Sequence, residues 1–474
     1  MKVEAGRGLA RILKAEGVEW VSTFPVCGVN NSLGKEGIPL LMMREERYAV
    51  AVADAFSRVT GRKKIGVCTV MGGVNAAGLQ VAYGAIGQAF EDSSSVLCIS
   101  DGVPLGESGN SHYDITLGFA AVTKWIGHID QPHRVPEFMR RAFTHLRTGR
   151  PGPVLLTIPR GVCVAEYDDE KYPYIPVKGW KVAPDPDDVK AAIKTLLAAK
   201  RPLLFVGEGI FYGDATDELL QFAELAQVPV MTTLKGKSAF PENHPLSVGV
   251  RGELANHFLT ECDLVFAIGS SLSPGRFSTA IPHPNDKTII QCTVDELDIN
   301  KSYQVNQAII GDAKFTLKAL IENLSSQTGG GRKKDQELLD EIQGLKKQLM
   351  AKYLPAMESD EKPINPYRVY GDLMKTIDLN NSMVTHDSGN TRDQTATIYE
   401  GRIPRGYMGW GNVSTLGFGL ALAAGTKLAY PTRQCVNITG DAGVSYMMGN
   451  FESMVRNNIG ITTIHINNGG FAGY

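Results

Sequence analysis

Residues 434–470 read QCVNITGDAGVSYMMGNFESMVRNNIGITTIHINNGG. QCVNITGD (434–441) is a β-rich apolar run that stops at Gly440-Asp441-Ala442-Gly443. Ser445 to Asn458 reads as a helix. ITTIHINN (461–468) is a second β-rich run, and it stops at Asn467-Asn468-Gly469-Gly470. A strand, a glycine turn, a covering helix and another strand form the repeating unit of a parallel α/β sheet. Glycines at the C-terminal end of such a strand let the backbone turn sharply and come close to a ligand. The N–H groups of the helix that follows suit a diphosphate. If the two strands are neighbours, the side-chain oxygens of Asp441 and Asn468 meet at the edge of the sheet. Hard oxygens of that kind are what Mg2+ takes when it bridges phosphates. Taken alone, the same residues also make two ordinary turns.

Working outward, short apolar runs alternate with helical stretches along all 474 residues. IGVCTV (65–70), SSVLCIS (94–100) and GPVLLTIP (152–159) suit strands buried on both faces, with helices such as Ala49 to Val59 between them. Residues 166–186, rich in Pro and charge, read as a linker. PLLFVGEG (202–209), PVMTT (229–233), LVFAIGSS (264–271) and TIIQCTVD (288–295) make a second α/β set. SSQTGGGRKKD (325–335) is a second linker, running into a charged helix to about Tyr353. A third set starts near Asn365 and includes SMVTHDS (382–388). The expectation is an α/β protein of three consecutive domains with mainly parallel sheets, at 1–165, 186–325 and 360–474. Because the chain stops just after a strand, the last domain is expected to be truncated.

Composition removes several classes of partner. The formal net charge of -2 gives no basic surface for nucleic acid or anionic lipid. No apolar run approaches the roughly 20 residues that span a bilayer. The N-terminus carries acids in an amphipathic pattern rather than a signal-peptide core. The 7 cysteines are widely spaced and contain no CxxC, so reduced thiols in a cytoplasmic protein are expected. No GxGxxG follows the first strand, which argues against a nicotinamide-dependent oxidoreductase.

Arg44-Glu45-Glu46-Arg47-Tyr48-Ala49 opens an Ala-rich helix. Two acids there complement the helix dipole, and that alone would account for them. Together with the 434–470 segment they resemble something more specific. The GD turn, helix and NN pair resemble the thiamine diphosphate signature GDG…NN, with Ala442 in place of the third glycine. Residues 44–49 resemble the RHEQ-A stretch of acetolactate-synthase-like enzymes. Thr69-Val70-Met71-Gly72-Gly73-Val74-Asn75 is similar to that family's TSGPGATN turn, with Gly73 in place of proline. Gly149-Arg150-Pro151-Gly152-Pro153-Val154 is similar to the GRPGPV that ends its first domain. Thr232-Thr233-Leu234, Ala239-Phe240-Pro241-Glu242 and Gly311-Asp312-Ala313-Lys314 look like its middle domain.

The resemblance implies pyrimidine-binding, central and diphosphate-binding domains, with thiamine diphosphate and Mg2+ as cofactors. It implies metal ligation by Asp441, Asn468 and the Gly470 carbonyl. Gly440, Ala442 and Gly443 would line the diphosphate, with Gly389 and Asn390 of Asp387-Ser388-Gly389-Asn390. Ser414-Thr415-Leu416-Gly417 would lie under the cofactor, with Leu416 wedging its rings and the Ser414 carbonyl accepting from the 4′-amine. Glu46 would be the catalytic acid. By exchanging a proton with the aminopyrimidine nitrogen it would promote loss of the thiazolium C2 proton. The family's sites are built from two subunits, which implies a homodimer or homotetramer.

Substrate is the least legible point. Cys27 and Gly28 fall on a loop that faces the reacting atoms in the family, where pyruvate-decarboxylase-like members carry Asp. His112-Tyr113-Asp114 falls on a second such loop, and its Tyr–acid pair looks like the Tyr-Glu of oxalyl-CoA decarboxylase. NNGG is also common among 2-hydroxyacyl-CoA lyases. These residues point to a small-molecule substrate, an acyl-CoA cleaved by a lyase of that branch. The alternative is acetolactate-synthase-like carboligation or 2-oxo acid decarboxylation. A homologue that binds cofactor without turnover is the reading of another class.

Overall fold

The strands of this chain are short, and most are buried on both faces, as the uninterrupted apolar runs require. In a computed structural model, which describes residues 1–106, 113–275 and 278–471, two units are distinguished. The first joins Met1–Trp180 to Val413–Asn437 and Ala442–Thr463. The second joins Lys181–Asn412 to Ile438–Asp441 and the segment from Ile464 onward.

In the first unit, β1 (Lys2–Glu4) pairs antiparallel with β8 (Glu166–Asp168). The strands between them are β2 (Val21–Thr23), β3 (Leu40–Met42), β4 (Gly66–Val70), β5 (Val96–Asp101), β6 (Trp125–His128) and β7 (Val154–Ile158). They form one parallel sheet in the order β3-β2-β4-β5-β7-β6. Every residue of β4, β5 and β7 is buried. The supposed linker at 166–186 therefore opens with a strand. Alternation of exposed and buried residues in Glu166-Tyr167-Asp168 marks it, with Tyr167 turned into the core.

The second unit holds β9 (Pro202–Val206), β10 (Val230–Thr232), β11 (Ser247–Gly249), β12 (Leu264–Ile268), β13 (Thr288–Thr293) and β14 (Gln307–Ile310). They form a parallel sheet in the order β11-β10-β9-β12-β13-β14. The Ala313–Thr328 helix runs into the glycines at 329–331, where Gly329 caps it with φ 70°. The charged helix then spans Gln336–Met357. The third set consists of β15 (Ser382–His386), β16 (Tyr407–Met408), β17 (Gln434–Gly440) and β18 (Thr462–Ile466), in the order β16-β15-β17-β18. The strands carrying Asp441 and Asn468 at their ends are thus neighbours.

The helix expected from Ser445 to Asn458 is two pieces, Asp441–Met447 and Asn450–Arg456. Met448 and Gly449 interrupt it, and glycine is a poor helix former. The Asn450 side chain, at the start of the second piece, accepts from the Arg44 N–H at 3.1 Å. None of the cysteines is in a disulfide, and all are buried. Among the described residues no helix is long and apolar enough to cross a membrane.

Candidate cofactor site

In the second unit the diphosphate-type residues lie at strand ends. β15 leads through Asp387 and Ser388 to Gly389, whose φ of 80° is the left-handed backbone that glycine adopts without strain. A Cβ on Gly389 would meet nothing within 4 Å, so this turn presents bare backbone. Asn390 then opens the Asn390–Ile398 helix. The Asp387 N–H donates to the Ile438 carbonyl at 2.9 Å, which ties the turn to the strand that carries Asp441.

Asp441 follows β17. Its Oδ1 accepts from His465 Nε2 at 2.9 Å and its Oδ2 from the Asn468 N–H at 3.1 Å. Asn468 Oδ1 accepts from the Gly470 N–H at 3.2 Å, so Asp441, Asn468 and Gly470 form one hydrogen-bonded group. Partial desolvation works to raise the Asp441 pKa. The Asn468 amide, the His465 ring and the Gly470 amide outweigh it and hold the carboxyl below its usual range. Asp441 is therefore an anion at neutral pH. A carboxylate beside amide oxygens is a donor set of the hard type, and it fits Mg2+. Among the described residues no group of three or more His, Cys, Asp or Glu could hold a metal. A cation here would therefore draw its remaining ligands from amide and carbonyl oxygens, water and phosphate.

In the first unit Glu46 is the first residue of the Glu46–Val59 helix and is 7% exposed. Its Oε1 lies against Gly78, where an added Cβ would come within 2.8 Å of it. Burial raises the carboxyl pKa, its own backbone N–H opposes that, and neighbouring Glu45 adds to it. The two adjacent acids part company here. Glu45 is the extended N-cap and pairs with Arg47 at 3.1 Å, whereas Glu46 turns inward.

The Glu46–Val59 helix packs on the Phe418–Ala429 helix. Ser414 and Leu416 lie in the turn that leads into that second helix. Gly417 closes the turn at φ 82°, and a Cβ there would meet Tyr446 Cβ at 3.1 Å and the Gly443 carbonyl at 3.5 Å. This unit so brings together the Glu46 helix, the 414–417 turn and the Ala442-Gly443 backbone. Arg47 adds a cation–π contact, 5.2 Å over the Tyr446 ring.

The expected substrate residues fare unevenly. Gly28 donates its N–H to Asp101 Oδ1 at 2.8 Å, and Arg160 holds Asp101 Oδ2 at 3.2 Å. Cys27 is buried in the first core, and burial pushes its thiol far above the usual range. It therefore contributes packing and backbone rather than a side chain facing substrate. Tyr113 is half-buried, with its hydroxyl against Gly118. Asp114 Oδ1 accepts from the Leu117 N–H at 3.0 Å and caps the Ile115–Ala120 helix. Its carboxylate thus has a local structural task. His112 lies outside the described residues. Sequence reasoning missed Asp101, Arg160 and His465. Asp101 closes β5 and Arg160 lies two residues past β7, so both were legible as strand-end charges. His465 is a lone ring in a Thr- and Ile-rich strand and gives no such signal.

Comparison with known proteins accounts for this arrangement. Residues 3–131 match the thiamine pyrophosphate enzyme N-terminal TPP binding domain, 189–320 the central domain, and 387–473 the C-terminal TPP binding domain. The chain is similar to the probable acetolactate synthase large subunit of Methanocaldococcus jannaschii, 34% identical over 463 residues, covering 93% of this chain and 76% of that protein. A probable acetolactate synthase large subunit of Methanococcus aeolicus is 32% identical over 467 residues, with the same 93% and 76% coverage. The acetolactate synthase isozyme 3 large subunit of Escherichia coli is 26% identical over 481 residues, covering 97% and 81%. The fold and its three matched domains define a thiamine pyrophosphate enzyme. Within that class the chain belongs to the acetolactate-synthase-like family, whose cofactor is thiamine diphosphate.

Proposed function

We propose that this protein is a carboligase of the acetolactate synthase type, which uses thiamine diphosphate and Mg2+ to join two 2-oxo acids with loss of one CO2. The observation that carries this is the buried Glu46 carboxyl against Gly78, in a chain whose relatives bear the acetolactate synthase name. When bound, thiamine diphosphate supplies a carbon acid whose conjugate base adds to carbonyls. Glu46 holds an exchangeable proton at its carboxyl, away from bulk water. Gly389 and Asn390 offer backbone to a diphosphate, and Asp441 and Asn468 offer oxygens to the cation.

The lean toward an acyl-CoA lyase gives way to its runner-up. It rested on the Tyr113–Asp114 pair and the NNGG ending, and Asp114 is engaged as a helix cap. The relatives reported above carry the other name. Cys27 gives further support. Where decarboxylases carry an acid, this chain has a buried thiol that stays protonated, so the loop supplies no titrating proton donor at that position. That favours capture by a second carbonyl carbon over capture by a proton.

The test is incubation with thiamine diphosphate, Mg2+ and pyruvate, with oxalyl-CoA and a 2-hydroxyacyl-CoA in parallel. Acetolactate from pyruvate is the expected product. Turnover of a thioester alone would move the protein to the lyase branch. Cofactor binding without turnover of any of the three would make it a binding homologue. We also infer a homodimer or homotetramer, and a concentration-independent monomer with full activity would refute that.

A further inference from the structure

We infer that His465 is a positioning residue for the metal site, setting divalent-cation affinity through the Asp441 carboxylate. This rests on the reading that Asp441 and Asn468 hold the cation. His465 lies in β18, the strand that ends at Asn468, and its Nε2 is 2.9 Å from Asp441 Oδ1. An ionised carboxylate only accepts hydrogen bonds, so Nε2 carries the proton and donates it. The Asn468 N–H reaches the other oxygen, Oδ2, at 3.1 Å. Each oxygen is thus held by a donor, and the Gly470 N–H also favours the charge. Two donors on opposite oxygens also fix rotation of the carboxylate plane. With His465 removed, Oδ1 loses its side-chain donor and the restraint is left to the backbone N–H groups of Asn468 and Gly470.

A cation must then order the carboxylate as it binds, at a cost in affinity. Outer partners of metal-ligating groups change affinity by about 10–100-fold when lost. The ring adds nothing to the apolar core that would explain it. His465 is an exposed residue and its side chain is 34% exposed, while the surrounding strand, Thr462-Thr463-Ile464-His465-Ile466, is otherwise Thr and Ile. A hydrophobic residue could fill the same strand position without touching Asp441.

The experiment measures Mn2+ binding to the full chain by electron paramagnetic resonance at saturating thiamine diphosphate, with Mg2+ as competitor. His465→Leu should weaken Mn2+ and Mg2+ by about 10–100-fold. His465→Gln, whose amide N–H reaches as far as Nε2, should restore most of that loss. His465→Asn, polar but too short, should not, which separates positioning from polarity and stands in if the Leu variant fails to fold. Asp441→Ala is the arm that tests the underlying reading. If it binds Mn2+ like the parent, the metal assignment itself is wrong. If Asp441→Ala loses the metal while His465→Leu and His465→Asn bind as well as the parent or more tightly, the role of His465 alone is overturned.

Discussion

Changing Gly425 to alanine tests whether the helix pair of the first unit positions Glu46. Gly425 lies within the Phe418–Ala429 helix, where it faces the Glu46–Val59 helix. A methyl group there would sit 2.4 Å from Ala55 Cβ, 2.9 Å from Phe56 N and 2.9 Å from the Val52 carbonyl oxygen. Ordinary carbon contacts are about 3.5–4.0 Å, so the helices must part by about 1.1–1.6 Å. Two of the three obstacles are backbone atoms, which cannot swing aside. Alanine gains about 1 kcal/mol over glycine in helix propensity. Overpacking a filled interface costs about 1–3 kcal/mol, and backbone overlap belongs at the top of that range. The net expectation is a loss of about 1–2 kcal/mol, or a fall of several degrees in Tm for the transition of this unit. Gly344→Ala is the matched control. That glycine is exposed in the Gln336–Met357 helix with nothing within 4 Å of its added methyl, so the same change should stabilise. The assay is thermal unfolding of both variants without cofactor, followed by exchange of the thiazolium C2 proton in the holoenzyme. Gly425→Ala should slow exchange, because one helix begins at Glu46 and the other follows Leu416. A Gly425→Ala protein that melts above the parent would refute the close-packing argument.

The other expectations are shorter. Glu46→Gln should slow C2 proton exchange by about 100- to 10,000-fold with a modest fall in cofactor affinity, whereas Glu45→Gln should do much less; equal exchange in Glu46→Gln and parent would leave Glu46 a helix-start acid. Burial raises the folded-state Glu46 pKa, so its contribution to stability is full below the unfolded carboxyl value and is lost as pH rises through the raised value. Stability profiles of parent and Glu46→Gln should therefore diverge across that window, and parallel profiles would contradict the burial argument. Lys237 is 1% exposed, reaches both Glu242 oxygens at 2.5 Å and donates to the Tyr399 carbonyl at 2.7 Å. Lys237→Met should cost about 3–5 kcal/mol in a denaturant titration by stranding Glu242, and Lys237→Met with Glu242→Leu should cost less than the single change.

The fold was legible because buried parallel strands leave a coarse signature. Runs such as GVCTV and LVFAI are almost wholly apolar and buried along their length, and turns mark where they stop. What escaped was local. Glu166-Tyr167-Asp168 looked like linker because its charges dominate, yet a three-residue strand needs only its middle side chain buried. The helix after Asp441 looked continuous because its apolar spacing carries across Gly449, and only the structure shows the break at Met448-Gly449 before Asn450 restarts it. In the candidate site, the GD and NN turns could be read because their chemistry is local in sequence. The contact of Glu46 with Gly78 could not, since it depends on how one helix start meets another. Cys27 is similar: its loop position was clear from sequence, but its side-chain direction is set by the first core. Asp114 shows the converse, a charge whose structural use as a cap was available from its place at a helix start.

Glu46 and Asp441 carry the same functional group and are driven in opposite directions. Glu46 opens a helix, where the dipole and its own backbone N–H favour the carboxylate. Desolvation and the adjacent Glu45 outweigh them. The carboxyl pKa is therefore raised above the ordinary Glu range, as an acid that must give and retake a proton requires. Asp441 meets some desolvation too, but two backbone N–H groups and the His465 ring reward its charge. A group that must stay anionic to hold a cation needs that surplus of donors. If these environments were exchanged, the carboxyl at position 46 would be a permanent anion and the one at 441 a poor ligand. Pairs of carboxyls pushed apart in this way divide proton transfer from charge stabilisation. Here that division follows from the number of N–H donors around each side chain, before any cofactor is considered.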